Sequence, residues 1–151
     1  MCDVRPQRLL APFASASDML ELIERIDDPT FGLCLDTGHA HIMSQNIPEM
    51  IYAFEKHLRT VHLNDNFGMI APVHPDQHLF PGAGTIDFVA VFNALKSISF
   101  TGAISLEPGQ VLSKLPINAR DASIMGGAMV AKAFMEEHWY DGQNKKTVKN
   151  Y

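Results

Sequence analysis

The chain has 151 residues, of which 46% are hydrophobic and 19% charged, a composition that excludes a disordered or fibrous protein and suffices for one domain with a core. Its formal net charge of −5 repels polyanions and argues against nucleic acid as a partner. Because we find no apolar run that resembles a signal peptide or a membrane span, and only two separated cysteines, Cys2 and Cys34, we expect a cytoplasmic protein without a membrane partner.

The N-terminal part of the chain predicts an irregular segment followed by one helix. Residues 1–16 show no periodicity and are interrupted by Pro6 and Pro12, which predicts an irregular segment. Ser17 can then cap a short helix that ends before Pro29.

Three short apolar runs alternate with helical patterns along the rest of the chain. The runs predict strands at 31–35, 60–63 and 103–106, and the patterns predict helices at 47–58, 86–98 and about 119–138. Since no hairpin signal joins consecutive strands, the alternation predicts an α/β fold with a parallel sheet. We expect the first strand, which contains Cys34, to be buried on both faces.

The predicted strands end in residues that can bind a metal ion. The first is followed by Asp36 and His39, the second contains His62 with Asp65 just beyond it, and the third is followed by Glu107. The carboxyl ends of parallel strands gather at one edge of a sheet. Carboxylates and imidazoles at such an edge suit a divalent ion such as Mn²⁺, Zn²⁺, Co²⁺, Fe²⁺ or Mg²⁺.

Each of these residues also has an ordinary structural interpretation. Asp36 alone is more often a helix cap, His62 alone an interior histidine with satisfied hydrogen bonds, and Glu107 an exposed turn residue. Their shared position at three consecutive strand ends favours the metal-site interpretation. The loop at 64–84 is about twenty residues long, as functional or disordered loops often are, and it contains Asp76 and His78.

Four motifs taken together resemble a known family. In chain order they are Leu-Asp-Thr-Gly-His at 35–39, Val-His-Leu-Asn-Asp-Asn at 61–66, Asp-Gln-His-Leu-Phe-Pro-Gly-Ala-Gly-Thr-Ile-Asp at 76–87 and Ser-Leu-Glu at 105–107. They resemble the second half of the xylose isomerase-like TIM-barrel superfamily, which includes sugar-phosphate isomerases and epimerases and the endonuclease IV group. The resemblance covers roughly 17 to 138 and implies a partial (β/α)8 barrel over 17–139, followed by a polar tail at 140–151.

The resemblance also implies roles for individual residues. By this resemblance Asp36, His62 and Glu107 bind a divalent metal ion, and Glu107 also carries a proton in catalysis. Substrate contacts are assigned to His39, Asp65 and His78, and a possible second metal to His39, Asp76 and His78, as in the nuclease branch. Family sites use a further Glu from an earlier strand, whereas residues 1–16 contain no Glu.

Three functions remain open from the sequence. The first is a sugar, sugar-phosphate or hydroxy-carbonyl isomerase or epimerase that transfers protons through an enediolate, weak in this chain unless a partner supplies the missing Glu. The second is a zinc phosphodiesterase acting on abasic DNA, which the net charge opposes. The third is a non-catalytic metal-binding or self-associating module. Because three parallel strands cannot close a barrel of about 250 residues, we expect self-association or a partner chain that completes it, unless the chain is an excised piece.

Overall fold

The computed structural model describes residues 15–69 and 76–138. The predicted polar tail at 140–151 and nearly all of the predicted irregular segment lie outside these ranges. In chain order the elements are α1 (Ala16–Ile26), β1 (Leu33–Asp36), α2 (Thr37–Ile42), α3 (Ile47–Phe54), a 3-10 turn (Glu55–His57), β2 (Leu58–Leu63), α4 (Phe88–Ser97), β3 (Ala103–Leu106), α5 (Gly109–Ser113) and α6 (Ile117–His138).

Side-chain caps set the starts of several helices. Ser15, two residues before the predicted cap, accepts a hydrogen bond from the backbone N–H of Asp18 and begins α1. Asn46 and Asp87 cap α3 and α4 in the same way. Such caps satisfy N–H groups that have no partner inside the helix, and each contributes about 1 kcal/mol.

The three strands form one parallel sheet in the order β1-β2-β3, which confirms the predicted strand arrangement. In this register Asp36 lies beside His62, and His62 lies beside Ser105 on β3. The backbone N–H of Glu107 donates to the carbonyl oxygen of Leu63 at 3.1 Å. The register therefore brings the ends of all three strands to the same edge.

One face of the sheet carries the hydrophobic core. Alternate strand residues and large aromatic residues of the helices are buried there, among them Leu33, Leu35, Val61, Leu63, Phe54, Phe88 and Phe92. Burying one such side chain stabilises the fold by about 1.5–3 kcal/mol. This packing fixes the strands that position the site.

The opposite face of the sheet is open within the described part of the chain. Cys34, Ala103 and Ser105 are exposed on it. The prediction that β1 is buried on both faces is therefore wrong, because no described element covers this second face. No helix among the described residues has both the length and the apolar character needed to cross a membrane.

Candidate metal centre

Asp36, His62 and Glu107 converge at the carboxyl edge of the sheet. One ligand atom from each lies within 4.8 Å of the others. The Nδ1 atom of His62 is 3.5 Å from Oε2 of Glu107 and 4.0 Å from Oδ2 of Asp36. The structure thus brings together the three residues that the strand-end pattern singled out.

A second group lies beside the first and consists of His39, Asp76 and His78, again with ligand atoms within 4.8 Å of one another. Oδ1 of Asp76 is 3.0 Å from Nε2 of His78 and 3.4 Å from Nε2 of His39. The backbone of His78 has a φ of 48°, in the left-handed region that non-glycine residues seldom adopt.

The two groups are connected into a closed ring of six side chains. Nδ1 of His39 is 3.2 Å from Oδ2 of Asp36. On the other side, Nδ1 of His78 is 2.9 Å from the backbone oxygen of Glu107 and 3.7 Å from its Oε2. The rings of His39 and His78 meet edge to face with centroids 5.7 Å apart.

The donor set fits a divalent cation. Two carboxylates and one imidazole are ligands that Mn²⁺, Zn²⁺, Co²⁺ and Fe²⁺ accept. Oε2 of Glu107 is buried and has no hydrogen-bond partner in the described part of the chain, although a buried carboxylate oxygen normally has one. A cation bound between Asp36, His62 and Glu107 would satisfy it.

Asp36 is suited to two roles at once, because its two oxygens have different surroundings. Oδ1 accepts a hydrogen bond from the backbone N–H of His39 at 2.8 Å and so caps α2. Oδ2 faces the imidazoles of His39 and His62. The helix-cap and ligand interpretations of Asp36 are therefore compatible.

Cys34 precedes Asp36 by two residues on β1 and therefore lies on the same, open face of the sheet. Partial burial is the largest cause that raises the pKa of the Cys34 thiol, and the negative charges of Asp36 and Glu107 raise this pKa further. Cys34 is consequently a neutral thiol at pH 7.

Asp65, which the sequence predicts to contact the substrate, is not exposed. Its side chain is fully buried. Oδ1 accepts backbone N–H groups of Asn66 at 2.8 Å and Ile86 at 3.1 Å, and Oδ2 accepts those of Gly82 at 3.0 Å and Gly84 at 2.8 Å. With four backbone donors on its carboxylate and no exposed surface, Asp65 anchors the loop after β2, and the geometry does not support the predicted substrate contact.

Sequence reasoning missed the buried polar residues around the ligands. Thr37, Asn64 and Asn66 are at most 1% exposed and hydrogen-bonded to their surroundings. The available signal was the polar run Asn64-Asp65-Asn66 directly after an apolar strand. Polar side chains buried at such a position need hydrogen-bond partners, so the run indicates a buried hydrogen-bond network.

A family model described as "Xylose isomerase-like TIM barrel" matches residues 6–123. The chain belongs to this family. The family assignment, together with the three parallel strands and their flanking helices, confirms the predicted partial (β/α)8 barrel.

Similar proteins include an isomerase and an epimerase-like protein. The inosose isomerase of Bacillus velezensis is 29% identical over 136 residues, which cover 87% of this chain and 48% of that protein. A D-tagatose 3-epimerase-like protein has a structure that matches with a TM-score of 0.65 and 26% identity, covering 82% of this chain and 42% of that one. A crystal structure of the IOLI protein with a binding zinc atom matches with a TM-score of 0.58 and 22% identity, over 83% of this chain and 44% of its own. The chain therefore spans less than half the length of each of these relatives.

Proposed function

We propose that this chain carries the metal-binding part of a divalent-metal-dependent isomerase or epimerase of sugars or related hydroxy-carbonyl compounds. The observation that carries the proposal is the convergence of Asp36, His62 and Glu107 within 4.8 Å at the ends of adjacent strands. The similarity to an inosose isomerase and to a sugar epimerase-like protein supports the reaction class. The binding zinc atom of the IOLI protein supports a metal ion in this fold.

Each residue of the centre has a definite task in the proposed reaction. A bound cation would polarise the carbonyl and a neighbouring hydroxyl of an open-chain substrate. Asp36, His62 and Glu107 would hold that cation, and Glu107 would also accept the proton next to the carbonyl, which leaves an enediolate of the substrate. We propose that His39, whose side chain is 56% exposed, and His78 contact the substrate.

A complete isomerisation needs a second proton carrier that returns the proton at the other carbon. In relatives of this kind the resemblance implies a Glu on an earlier strand. Since the chain spans about 48% of the Bacillus velezensis protein, we propose that this group comes from outside the described residues. In the first half of the reaction, proton removal, Glu107 is the proton carrier and no second carrier is needed.

The strands that complete the barrel lie outside the described residues, and another chain or a second copy of this one can supply them unless the chain is an excised piece. Among the described residues, β1 and β3 each pair only with β2, so each leaves one edge without a partner. Unpaired strand edges favour pairing with further strands. We therefore propose an association through these edges, alongside a small-molecule substrate.

The second group of ligands supports an alternative, a zinc phosphodiesterase. Asp76, His39 and His78 are positioned for additional metal ions, and metal clusters activate water against phosphodiesters. The net charge of −5 opposes binding to a polyanion. The number of metal ions per chain separates the two functions, because three zinc ions would contradict the isomerase proposal.

Solvent-deuterium exchange tests the proposed function. The metal-loaded chain is incubated in D₂O with inosose or a ketohexose, and deuterium next to the carbonyl is followed by NMR. We expect exchange that falls by about 10²- to 10⁴-fold in Glu107→Gln, whereas Glu137→Gln, a change at a side chain that is 77% exposed, leaves it unchanged. If the metal-loaded chain exchanges no faster than the free metal, the proposal is wrong.

A further inference from the structure

The buried amide of Asn64 contacts one of the proposed metal ligands. Its Nδ2 atom donates to Oδ1 of Asp36 at 3.0 Å, and the residue is 1% exposed. An amide buried this deeply against a carboxylate constrains how that carboxylate can turn. The following inference rests on the proposed metal centre.

Two donors occupy the same oxygen of Asp36. Oδ1 receives Nδ2 of Asn64 and the backbone N–H of His39, while Oδ2 faces Nδ1 of His39 at 3.2 Å and Nδ1 of His62 at 4.0 Å. We infer that Asn64 is a positioning residue that holds Asp36 so that it binds the cation through Oδ2 alone. Hydrogen bonds of this kind orient metal ligands and restrict their mode of binding.

Asn64 is itself held by the two residues that follow Asp36. Oγ1 of Thr37 accepts the backbone N–H of Asn64 at 3.1 Å and donates to its carbonyl oxygen at 2.7 Å. A Cβ atom added to Gly38 would clash with Oδ1 of Asn64, so any larger residue displaces the amide. In the run Asp36-Thr37-Gly38, the first residue supplies the ligand, the second fixes the Asn64 backbone and the third leaves room for its side chain.

Asn66 provides a matched control two residues away. It is as buried as Asn64, but its side chain bonds backbone groups, donating to the carbonyl oxygen of Gly38 at 3.0 Å and accepting the N–H of Gly68 at 2.8 Å. Loss of either amide removes a buried hydrogen bond, whereas only Asn64 bonds the side chain of Asp36. Their comparison separates ligand positioning from general stability.

Co²⁺ titration followed by visible absorption tests the inference, with thermal melting as the measure of folding. Asn64→Ala should bind Co²⁺ about 10- to 100-fold more weakly than the wild type, as losses of such supporting groups typically do, and its Co²⁺ spectrum should change because Oδ1 becomes free to bind. Asn66→Ala should keep the wild-type spectrum and affinity even where its melting temperature falls as far.

Gly38→Ala provides a second route to the same state. Its methyl group should push the amide away from Asp36 and reproduce the Co²⁺ affinity and spectrum of Asn64→Ala, and it should weaken binding no further when Asn64 is already alanine. Asn64→Leu, which keeps a side chain of similar volume without a donor, replaces the alanine variant if that does not fold.

Each outcome bears on a different claim. If wild-type chain binds Co²⁺ and the Asn64 variants retain its affinity and spectrum, or lose affinity only to the same extent as Asn66→Ala, the positioning role is wrong and the metal centre stands. If the wild-type chain binds no Co²⁺, the proposed metal centre fails and the positioning role fails with it.

Discussion

One buried carboxylate, that of Asp65, stabilises the site by accepting hydrogen bonds from backbone N–H groups. Asp65 accepts four backbone N–H bonds, of which the three from Gly82, Gly84 and Ile86 tie the loop at 79–86 to the end of β2. The loop carries His78 into the ring of ligands, where it bonds the backbone oxygen of Glu107. Asp65 therefore supports the site without being exposed at it.

Replacing Asp65 by alanine is expected to destabilise the fold strongly. The change leaves several buried N–H groups unpaired, and hydrogen bonds to charged groups contribute about 1.5–3 kcal/mol each, so the free energy of unfolding should fall by about 3 kcal/mol or more. Asp87→Ala, which removes an exposed cap with one such bond, should cost about 1 kcal/mol. Urea denaturation at pH 7 measures both. Equal losses in the two variants would refute the anchoring role of Asp65.

The difference between Asp36 and Asp65 explains what the sequence could predict at this scale. Asp36 is the last residue of β1 and Asp65 comes two residues after β2, and both carry the same side chain. Three consecutive strands with ligand-type residues at their ends pointed to Asp36, His62 and Glu107, because a parallel sheet fixes where strands end. Whether Asp65 turns inward depends on a distant loop that returns to β2, which no local pattern records.

Among the helices, α6 meets the site loop through a glycine. A Cβ atom added to Gly127 would clash with the ring of Phe80, whereas one added to the neighbouring Gly126 meets nothing within 4 Å. Gly127 is buried and Gly126 exposed. The loop that contains His78 and Phe80 thus packs closely on this turn of the helix.

The adjacent glycines give opposite predictions for the same substitution. Gly126→Ala should raise the free energy of unfolding by about 0.5–1 kcal/mol, because alanine favours a helix over glycine. Gly127→Ala gains the same propensity but overpacks against Phe80, which costs about 1–3 kcal/mol, so the net change should be destabilising. Thermal or urea unfolding of both variants measures the sign. A stabilised Gly127→Ala would show that α6 does not pack closely on this loop.

The short helices were the elements that sequence patterns did not find. α2 spans Thr37–Ile42 and α5 spans Gly109–Ser113, each less than two turns, so neither is long enough to display a helical period. The long pattern that predicted α6 from about 119 to 138 agrees with the observed helix to within two residues. Length, rather than residue type, decided which helices were predictable.

At the scale of the whole molecule, α6 exposes several large apolar side chains. Ile124, Met125 and Met129 on α6 are 40%, 63% and 67% exposed. Exposed apolar side chains of this size are typical of an association surface. The three strands predicted from the sequence are too few to close a barrel, but the sequence did not predict the exposed face of α6, because apolar residues occur all round the helix.

We expect the chain to associate in solution. Size-exclusion chromatography with light scattering should give a mass above that of one chain, and Met129→Glu should lower it by placing a charge on the proposed surface. Tyr52→Glu, at a half-exposed position on α3, should leave the mass unchanged. A monomeric wild-type chain with a cooperative melt would contradict the association.

The most direct test of the metal centre compares two histidines at opposite ends of β2. His57 immediately precedes the strand and His62 is near its carboxyl end. In calorimetric titrations with Mn²⁺, we expect the wild-type chain and His57→Ala to bind one ion per chain, and His62→Ala to bind more than about 100-fold more weakly, because loss of a direct ligand exceeds the typical effect of a supporting residue. Unchanged binding by His62→Ala would contradict the claim that Asp36, His62 and Glu107 hold the metal ion.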